Sequence, residues 1–316
     1  MMLSEKEKVI QNYFFYKYED LLWCIVRAGG CIVQSQMCRL LNNNKSDTHT
    51  NTILVEDLVE ARILRKRRIT ANNILEVTIC TLNHFGINHP AEINAIRIKL
   101  SALVFENYLS QGYYERENPA QAMRQQMEKS SMQYYLPTGE AHIRQLNLLY
   151  EPFCNRGYST DGILYQMKRM ETRRQYGYNY ASGNKLELSK EPDLFTLSQK
   201  NIYLSNVVVR KNEHGNEQLI GFVDVYFART WTVNQFTNYI IEAKRVIEDT
   251  LQNNALAIFT IHSHSSSNSN FENRVCKALA EFPEYLTEDD VQSAITFKWY
   301  DTSRYIFSNV DPANLL

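Results

Sequence analysis

Apolar residues recur at helical spacing in three short stretches near the beginning of the chain. Leucine, isoleucine, valine and methionine fall three or four residues apart in each stretch, which predicts three amphipathic helices. Gly29 and Gly30 end the first helix, the polar run 42–46 forms a turn after the second, and Asp47 caps the third. The predicted helices are Tyr18 to Ala28, Val33 to Leu41 and Thr48 to Ala61.

A β-hairpin is predicted directly after the third helix, because the apolar spacing changes to every second residue. Ile63 and Leu64 lead into the basic cluster Arg65 to Arg68, and apolar and polar residues alternate from Ile74 to Ile79. Two helices, a polar turn, a third helix and a basic hairpin are typical of a winged helix-turn-helix. In that fold the third helix enters the major groove of DNA and the hairpin lies on the flanking backbone.

Ten side chains are predicted to contact DNA. Those in the turn and at the start of the third helix face the bases, and those of the hairpin contact the backbone. The predicted base-facing residues are Ser46, Thr48, His49, Asn51 and Thr52. The predicted backbone contacts are Arg65, Lys66, Arg67, Arg68 and Asn72. The alternative is a protein-interaction adaptor, because such a three-helix unit also serves as a protein-binding module and a basic run is often only a solvated surface.

Two further helices are predicted beside this unit. Leu3 to Tyr16 is amphipathic with a wide apolar side, which packs either on the chain's own core or on a second copy, and we expect a homodimer. Apolar spacing also predicts a helix from Pro90 to Ser110, and the polar stretch from Tyr113 to Met132 marks a domain boundary. The expected divisions are a DNA-binding domain at 1–85, a helical connector at 86–149 and a second domain at 150–316.

Strands and helices alternate in the second domain, which predicts a mixed sheet flanked by helices. A helix from Ala141 to Tyr150 leads into it. The predicted strands are Ile202 to Val209, Leu219 to Phe227, Ala255 to His262 and Ile295 to Ile306, and the predicted helices are Thr232 to Leu251 and Asn270 to Phe282. We therefore expect an α+β protein with an N-terminal winged helix-turn-helix and a C-terminal mixed α/β domain.

Composition narrows the class of protein. The 316 residues are 44% hydrophobic and 22% charged, as in an ordinary globular protein, and the net charge of −1 argues against a protein that coats nucleic acid indiscriminately. Affinity for double-stranded DNA must then come from a local basic patch. The first eight residues are charged where a signal peptide needs an apolar core, and no apolar run approaches the ~18 residues of a membrane span, so we expect a cytoplasmic protein.

The six cysteines form neither a close C-x-x-C pair nor a compact Cys/His cluster, which argues against a zinc site. Free cysteine behaves as a small apolar residue and is often buried. We expect Cys24, Cys31 and Cys38, which are spaced by seven, to be buried apolar residues, and we expect neither a metal nor another cofactor.

Two carboxylates of the second domain suggest an alternative function, that of a metal-dependent nuclease. Asp193 precedes a predicted strand and Asp224 lies in the next core strand, as in restriction-endonuclease-like folds, which hold Mg²⁺ with carboxylates and usually place a lysine two residues after the second acid. Here Tyr226 stands at that position, so the motif is broken. Glu242 and Lys244 have the required spacing, but they fall in a predicted helix, where solvated charges explain them better.

A second, less favoured metal site combines two histidines with one of these acids. His262 and His264 lie on one side of an extended segment, and Asp224 on a neighbouring strand offers a third ligand. The sequence contains no G-x-S-x-G elbow, no Walker loop and no G-x-G-x-x-G motif. We therefore expect a protein without catalytic activity, whose second domain binds a protein partner or a second copy.

The order of these features resembles the replication-relaxation family, which includes plasmid mobilisation accessory proteins. The resemblance rests on the winged helix, the connector helix, Pro192-Asp193, a strand ending in Val223-Asp224, a long helix and an apolar strand. It implies a sequence-directed DNA-binding protein of a plasmid, phage or integrative element that regulates transcription, replication or mobilisation. It also implies that the second domain resembles a degenerate restriction-endonuclease-like fold. The chain departs from the family at Phe222, where the family has an acidic residue.

Overall fold

The computed structural model describes residues 4–45, 49–69, 72–88, 92–132, 139–179, 191–211, 215–264, 269–282 and 288–301. Within these residues the chain is a mixed α and β protein with two sheets, as expected. It divides into two compact units. Unit one holds the described residues up to Met127 together with Tyr300 and Asp301, and unit two holds those from Glu128 to Trp299.

Unit one combines helices with a small antiparallel sheet, in which the strand order is β1-β3-β2. Its helices are α1 (Glu5–Ala28), α2 (Gln34–Leu41), α3 (His49–Glu60), α4 (Ile79–His84), α5 (Ala95–Ser110) and α6 (Pro119–Glu128). Its strands are β1 (Cys31–Val33), β2 (Leu64–Ile69) and β3 (Asn72–Val77).

Helix α1 joins the two helices that the sequence predicts separately. The backbone leaves helical geometry only at Tyr18, with φ −119° and ψ 22°, and it continues because neither proline nor glycine interrupts the segment. The predicted stop is confirmed. Gly29 has φ 132°, a conformation that a residue with a side chain rarely adopts, and its amide donates to the Ile25 carbonyl.

A buried ion pair holds the turn between α2 and α3 against α5. Arg39 on α2 lies 2.7 Å from the carboxylate of Glu106 on α5, and both side chains are buried. The Nε of Arg39 also donates to the side chain of Asn44, at 2.8 Å. Because α3 follows directly after this turn, the pair positions the helix that was predicted to read DNA.

The predicted hairpin is present as β2 and β3, but β3 is shorter than expected. Thr78, which was assigned to the strand, instead caps α4, since its hydroxyl accepts the amide of Thr81. The third strand, β1, was not predicted, because three residues are too few to show an alternating pattern.

Helix α5 covers one face of the small sheet. Ile98 and Ala102 of α5 form a buried cluster with Cys31 and Val33 of β1 and Ile74 of β3. The expected connector at 86–149 is therefore divided in the structure. Helix α5 belongs to unit one, and the next long helix, at 140–155, belongs to unit two.

Unit two is built around a four-stranded sheet with the order β4-β5-β6-β7. Its strands are β4 (Ile202–Lys211), β5 (Glu217–Phe227), β6 (Leu256–His264) and β7 (Ile295–Tyr300). Its helices are α7 (Glu140–Asn155), α8 (Asp161–Asn179), α9 (Leu194–Gln199), α10 (Val233–Leu251), α11 (Ser269–Ala280) and α12 (Glu288–Ala294). Strands β4 and β5 are antiparallel, whereas β5 and β6 are parallel and are joined by α10.

One face of this sheet packs closely on α10. A Cβ placed at Gly221 of β5 would lie 2.8 Å from a side-chain carbon of Leu251 and 2.9 Å from one of Ile247, so the glycine allows the close approach of helix and strand. The four strands and three helices predicted in this unit are present within about five residues of their expected bounds, except that β7 is described only as far as Tyr300. Helices α8, α9 and α12 were not predicted.

We expect Glu106→Ala to lower the free energy of unfolding of unit one by about 3–5 kcal/mol, because it leaves the buried Arg39 without its carboxylate partner. Chemical denaturation measured by circular dichroism tests this. Glu117→Ala, at an exposed position, is the control and should change the same quantity by less than about 0.5 kcal/mol. Equal effects of the two substitutions would contradict a structural role for the pair.

Candidate nucleic-acid interface

Helix α3 has one buried side and one solvent-exposed side. Asn51, Val55 and Leu58 recur at helical spacing and are buried. The opposite side carries an exposed line of residues, which are His49, Ile53, Glu56 and Glu60.

The exposed line changes in character along the helix. The amino-terminal half presents His49 and Ile53, with no acidic side chain, whereas the carboxyl-terminal half presents Glu56 and Glu60. The partial positive charge of the helix dipole also lies at the amino terminus. A polyanion is therefore attracted to the first two turns of α3 and repelled by the last turn.

The structure corrects the prediction for Asn51. Its side chain is 7% exposed, and its Nδ2 donates to the backbone carbonyl of Cys38 at 3.3 Å. An amide that packs α3 against α2 in this way does not face the bases, so Asn51 leaves the candidate interface. Thr52 beside it is half-buried and His49 is exposed. Ser46 and Thr48 lie outside the described residues.

The four cations of the hairpin point to two different faces. Residues that stand opposite each other in an antiparallel pair share a face. Arg67 stands opposite Ile74, and Arg65 opposite Glu76, so both arginines lie on the face that α5 covers. Lys66 and Arg68 alternate with them and lie on the other face.

Glu76 engages the two arginines of the α5 face. Its side chain is 1% exposed, and its carboxylate lies 2.6 Å from Arg65 and 2.7 Å from Arg67. A buried carboxylate needs such partners, because its desolvation is costly. The charge of these arginines is therefore partly neutralised within the fold, although 70% of the Arg65 side chain remains exposed.

Lys66 and Arg68 are exposed and make no ion pair with any residue in the described part of the chain. They lie on β2, the strand against which α3 packs. Asn72, which was also predicted to contact DNA, begins β3, is half-buried and shares its face with Ile74 and Glu76. The structure therefore separates Lys66 and Arg68 from the other predicted contacts of the hairpin.

Cys31 is buried, as predicted, and stands opposite Glu76 of β3. Burial and the neighbouring Glu76 carboxylate raise the pKa of the Cys31 thiol to about 12. Cys31 is therefore a protonated, inert side chain at neutral pH. Cys24 and Cys38 are buried as well, whereas Cys154 is exposed.

The carboxylate of Asp193 in unit two accepts hydrogen bonds from groups of the fold itself. One oxygen of its buried carboxylate accepts the amide of Thr196 at 2.9 Å and thereby caps α9. The other accepts hydrogen bonds from Arg169 at 3.1 Å and Arg173 at 2.8 Å, both on α8. A divalent cation at this carboxylate would be repelled by two guanidinium groups.

Asp224 pairs with a histidine on the neighbouring strand. Its Oδ1 lies 2.8 Å from Nε2 of His262, whose ring is buried and stacks on Tyr226 with centroids 4.7 Å apart. The sequence predicted that these two side chains could lie together, and they do. Within the described residues, however, no group of three histidine, cysteine or acidic side chains is placed to hold a metal ion.

The Glu242-Ala243-Lys244 sequence lies in α10, as predicted, and its charges form separate ion pairs. Glu242 pairs with Lys200, and Lys244 pairs with Glu248 one turn further along the helix, at 2.6 Å. The two side chains therefore do not act together on a common ligand.

Among the described helices, none is long and apolar enough to cross a membrane.

The comparisons with known proteins return no match. No protein-family model, no curated protein and no solved structure matches the chain. The resemblance to the replication-relaxation family accordingly remains a prediction that rests on the sequence pattern alone.

Sequence reasoning missed several residues that define these sites. Glu76 was assigned to an alternating strand without a role, and Ile53 was not considered. Arg169 and Arg173 lie four residues apart in a helix that was not predicted. The spacing of four residues places both arginines on one side of a helix, and together with Asp193 further along the chain it was the sequence signal for this ion-pair cluster.

We expect Asp193→Ala to lower the free energy of unfolding of unit two by several kcal/mol, because it removes a helix cap and leaves two partly buried arginines without their shared carboxylate. Thermal and denaturant unfolding measure this. Glu191→Ala is the control, since Glu191 is an exposed partner of Arg169 at 3.7 Å and should contribute less than about 1 kcal/mol. A variant that folds with unchanged stability but loses metal-dependent DNA nicking would instead support the nuclease alternative.

Proposed function

We propose that the chain is a sequence-directed protein that binds double-stranded DNA through unit one. The observation that carries the proposal is the position of Lys66 and Arg68. They are exposed, have no ion-pair partner in the described part of the chain, and lie on β2, the strand against which α3 packs.

The order of elements supports a winged helix-turn-helix. Helix α1, strand β1, helices α2 and α3 and the hairpin of β2 and β3 follow one another, and β1 pairs with β3. In such an arrangement the third helix enters the major groove and the hairpin lies along the backbone. We propose that His49 and Thr52 face the bases and that Lys66 and Arg68 contact phosphates.

The charge distribution agrees with site-directed binding. The net charge of the whole chain is −1, so it supplies no general attraction to DNA. The contacts must come from a small patch, and acidic residues on the last turn of α3 restrict the way in which that patch approaches the duplex. We propose, from the sequence resemblance, that the target belongs to a mobile genetic element.

Unit two is proposed to bind a protein partner and not to cut DNA. The support is the environment of its two candidate acids, since Asp193 is held by Arg169 and Arg173 and Asp224 is paired with His262. These contacts give both carboxylates a role in the fold that needs no metal ion.

We also propose a homodimer that forms through the first turns of α1. Phe15 packs inward on His84, with ring centroids 4.2 Å apart, but the opposite side of the helix is apolar and exposed. Val9, Tyr13 and Tyr16 form this stripe, and Tyr16 is 87% exposed. A second copy would cover the stripe and place two DNA-reading units side by side, which doubles the contacts with DNA.

We expect the double substitution Lys66→Ala with Arg68→Ala to weaken binding to every duplex, cognate or random. Each lost phosphate contact should reduce the slope of log K against log salt by about 0.9. Fluorescence anisotropy over a range of salt concentrations measures both quantities.

The control for that experiment removes the same two charges from unit two. Lys168 and Arg174 are exposed on α8, and replacing both with alanine should leave the affinity and the salt slope unchanged. If the hairpin variant also binds DNA as tightly as the wild-type chain, the DNA-binding proposal fails. Loss of a protein partner in that variant would then favour the adaptor alternative.

We expect Val9→Glu with Tyr16→Glu to convert a dimer into a monomer, because four carboxylates would face one another across the paired stripes. Analytical ultracentrifugation at micromolar concentration measures the mass. Leu148→Glu with Leu164→Glu changes two exposed apolar residues of unit two and should leave the mass unchanged. A wild-type chain that sediments as a monomer would contradict the proposed dimer.

A further inference from the structure

Ile53 is an apolar side chain at the centre of the exposed line of α3. It is 47% exposed, and its neighbours along the line are His49, one turn before it, and Glu56, one turn after it. The core side of the helix is already filled by Val55 and Leu58, which are fully buried. About half of Ile53 therefore remains in contact with water, which is unfavourable for an apolar side chain.

The major groove offers an apolar side chain one specific target. Guanine, cytosine and adenine present hydrogen-bond donors and acceptors at this edge, whereas thymine alone adds a methyl group at C5. The side chain of isoleucine makes no hydrogen bond, so among the four bases it gains most from contact with thymine.

The position of Ile53 along α3 suits such a contact. It lies in the second turn, at the boundary between the uncharged first half and the acidic last turn. In the proposed docking the first half enters the groove, and Ile53 is the last exposed side chain of that half before Glu56. The outer line of α3 thus combines a polar, an apolar and an acidic side chain on successive turns.

We propose that Ile53 determines specificity by packing against the methyl group of a thymine in the binding site. The inference rests on the proposed DNA-binding function and adds a base preference to it. Covering one methyl group is equivalent to about a fourfold change in the dissociation constant.

The test removes the methyl group from the DNA and the side chain from the protein. A binding site is first selected from random duplexes with the full-length wild-type chain, and each thymine is then replaced in turn with deoxyuridine, which lacks only the methyl group. We expect one such replacement to weaken wild-type binding about fourfold. The same replacement should leave the affinity of Ile53→Ala unchanged, because the partner of the methyl group is already absent.

Ile79→Ala is the matched control. Ile79 lies on α4, is 50% exposed and is the same type of side chain, so this variant should retain the full fourfold effect of the deoxyuridine replacement. Circular dichroism checks that both variants are folded.

The possible outcomes separate this inference from the proposed function. If the wild-type chain selects a duplex but no deoxyuridine replacement weakens binding, the methyl contact is wrong and DNA binding stands. An equal loss for Ile53→Ala and the wild-type chain also overturns the contact. If no duplex is selected at any salt concentration, both the DNA-binding function and the contact are overturned.

Discussion

A buried carboxylate cannot remain charged in a protein core without a partner, and each unit contains one such carboxylate that is held by two arginines. Glu76 holds Arg65 and Arg67 in unit one, and Asp193 holds Arg169 and Arg173 in unit two. Removing the solvent from an ion costs several kcal/mol, which the paired guanidinium groups offset. These ion pairs decide which of the neighbouring charged side chains remain available to a ligand.

In unit one the constraint divides a run of four adjacent cations. A strand turns successive side chains to opposite faces, so Glu76 reaches only the first and third members of the run. Lys66 and Arg68 keep their charge available to solvent. A basic patch of two residues, next to a helix that is acidic at one end, is better suited to orienting a protein on DNA than to coating it.

In unit two the same constraint gives a structural role to Asp193, which the sequence pattern presents as a candidate catalytic acid. A proline followed by an aspartate before a strand is typical of a metal-dependent nuclease, but the Asp193 carboxylate is satisfied by the Thr196 amide and by two arginines. Its hydrogen bonds join α8 to the start of α9, which leads into the first strand of the sheet. Asp224 is engaged in a comparable way, because the side chain of His262 on the neighbouring parallel strand reaches its carboxylate.

Local pattern was sufficient for most elements of the fold. The helix stop at Gly29 and Gly30, the basic hairpin, the four strands of unit two and helices α10 and α11 were predicted because helical and alternating periodicities depend on near neighbours in the chain. Short elements were missed for the same reason. Strand β1 has three residues and α9 has six, too few for either periodicity to appear.

The sequence by itself determined the residue types that could form a site, namely the polar start of α3, the basic run after it and the two candidate acids of unit two. Only the tertiary structure decided which of them remain available. Asn51 is buried because it falls on the same side of α3 as Val55 and Leu58, and Arg65 and Arg67 are engaged because β3 brings Glu76 opposite them. Burial and ion pairing depend on residues that are distant in the chain, so no local pattern contains them.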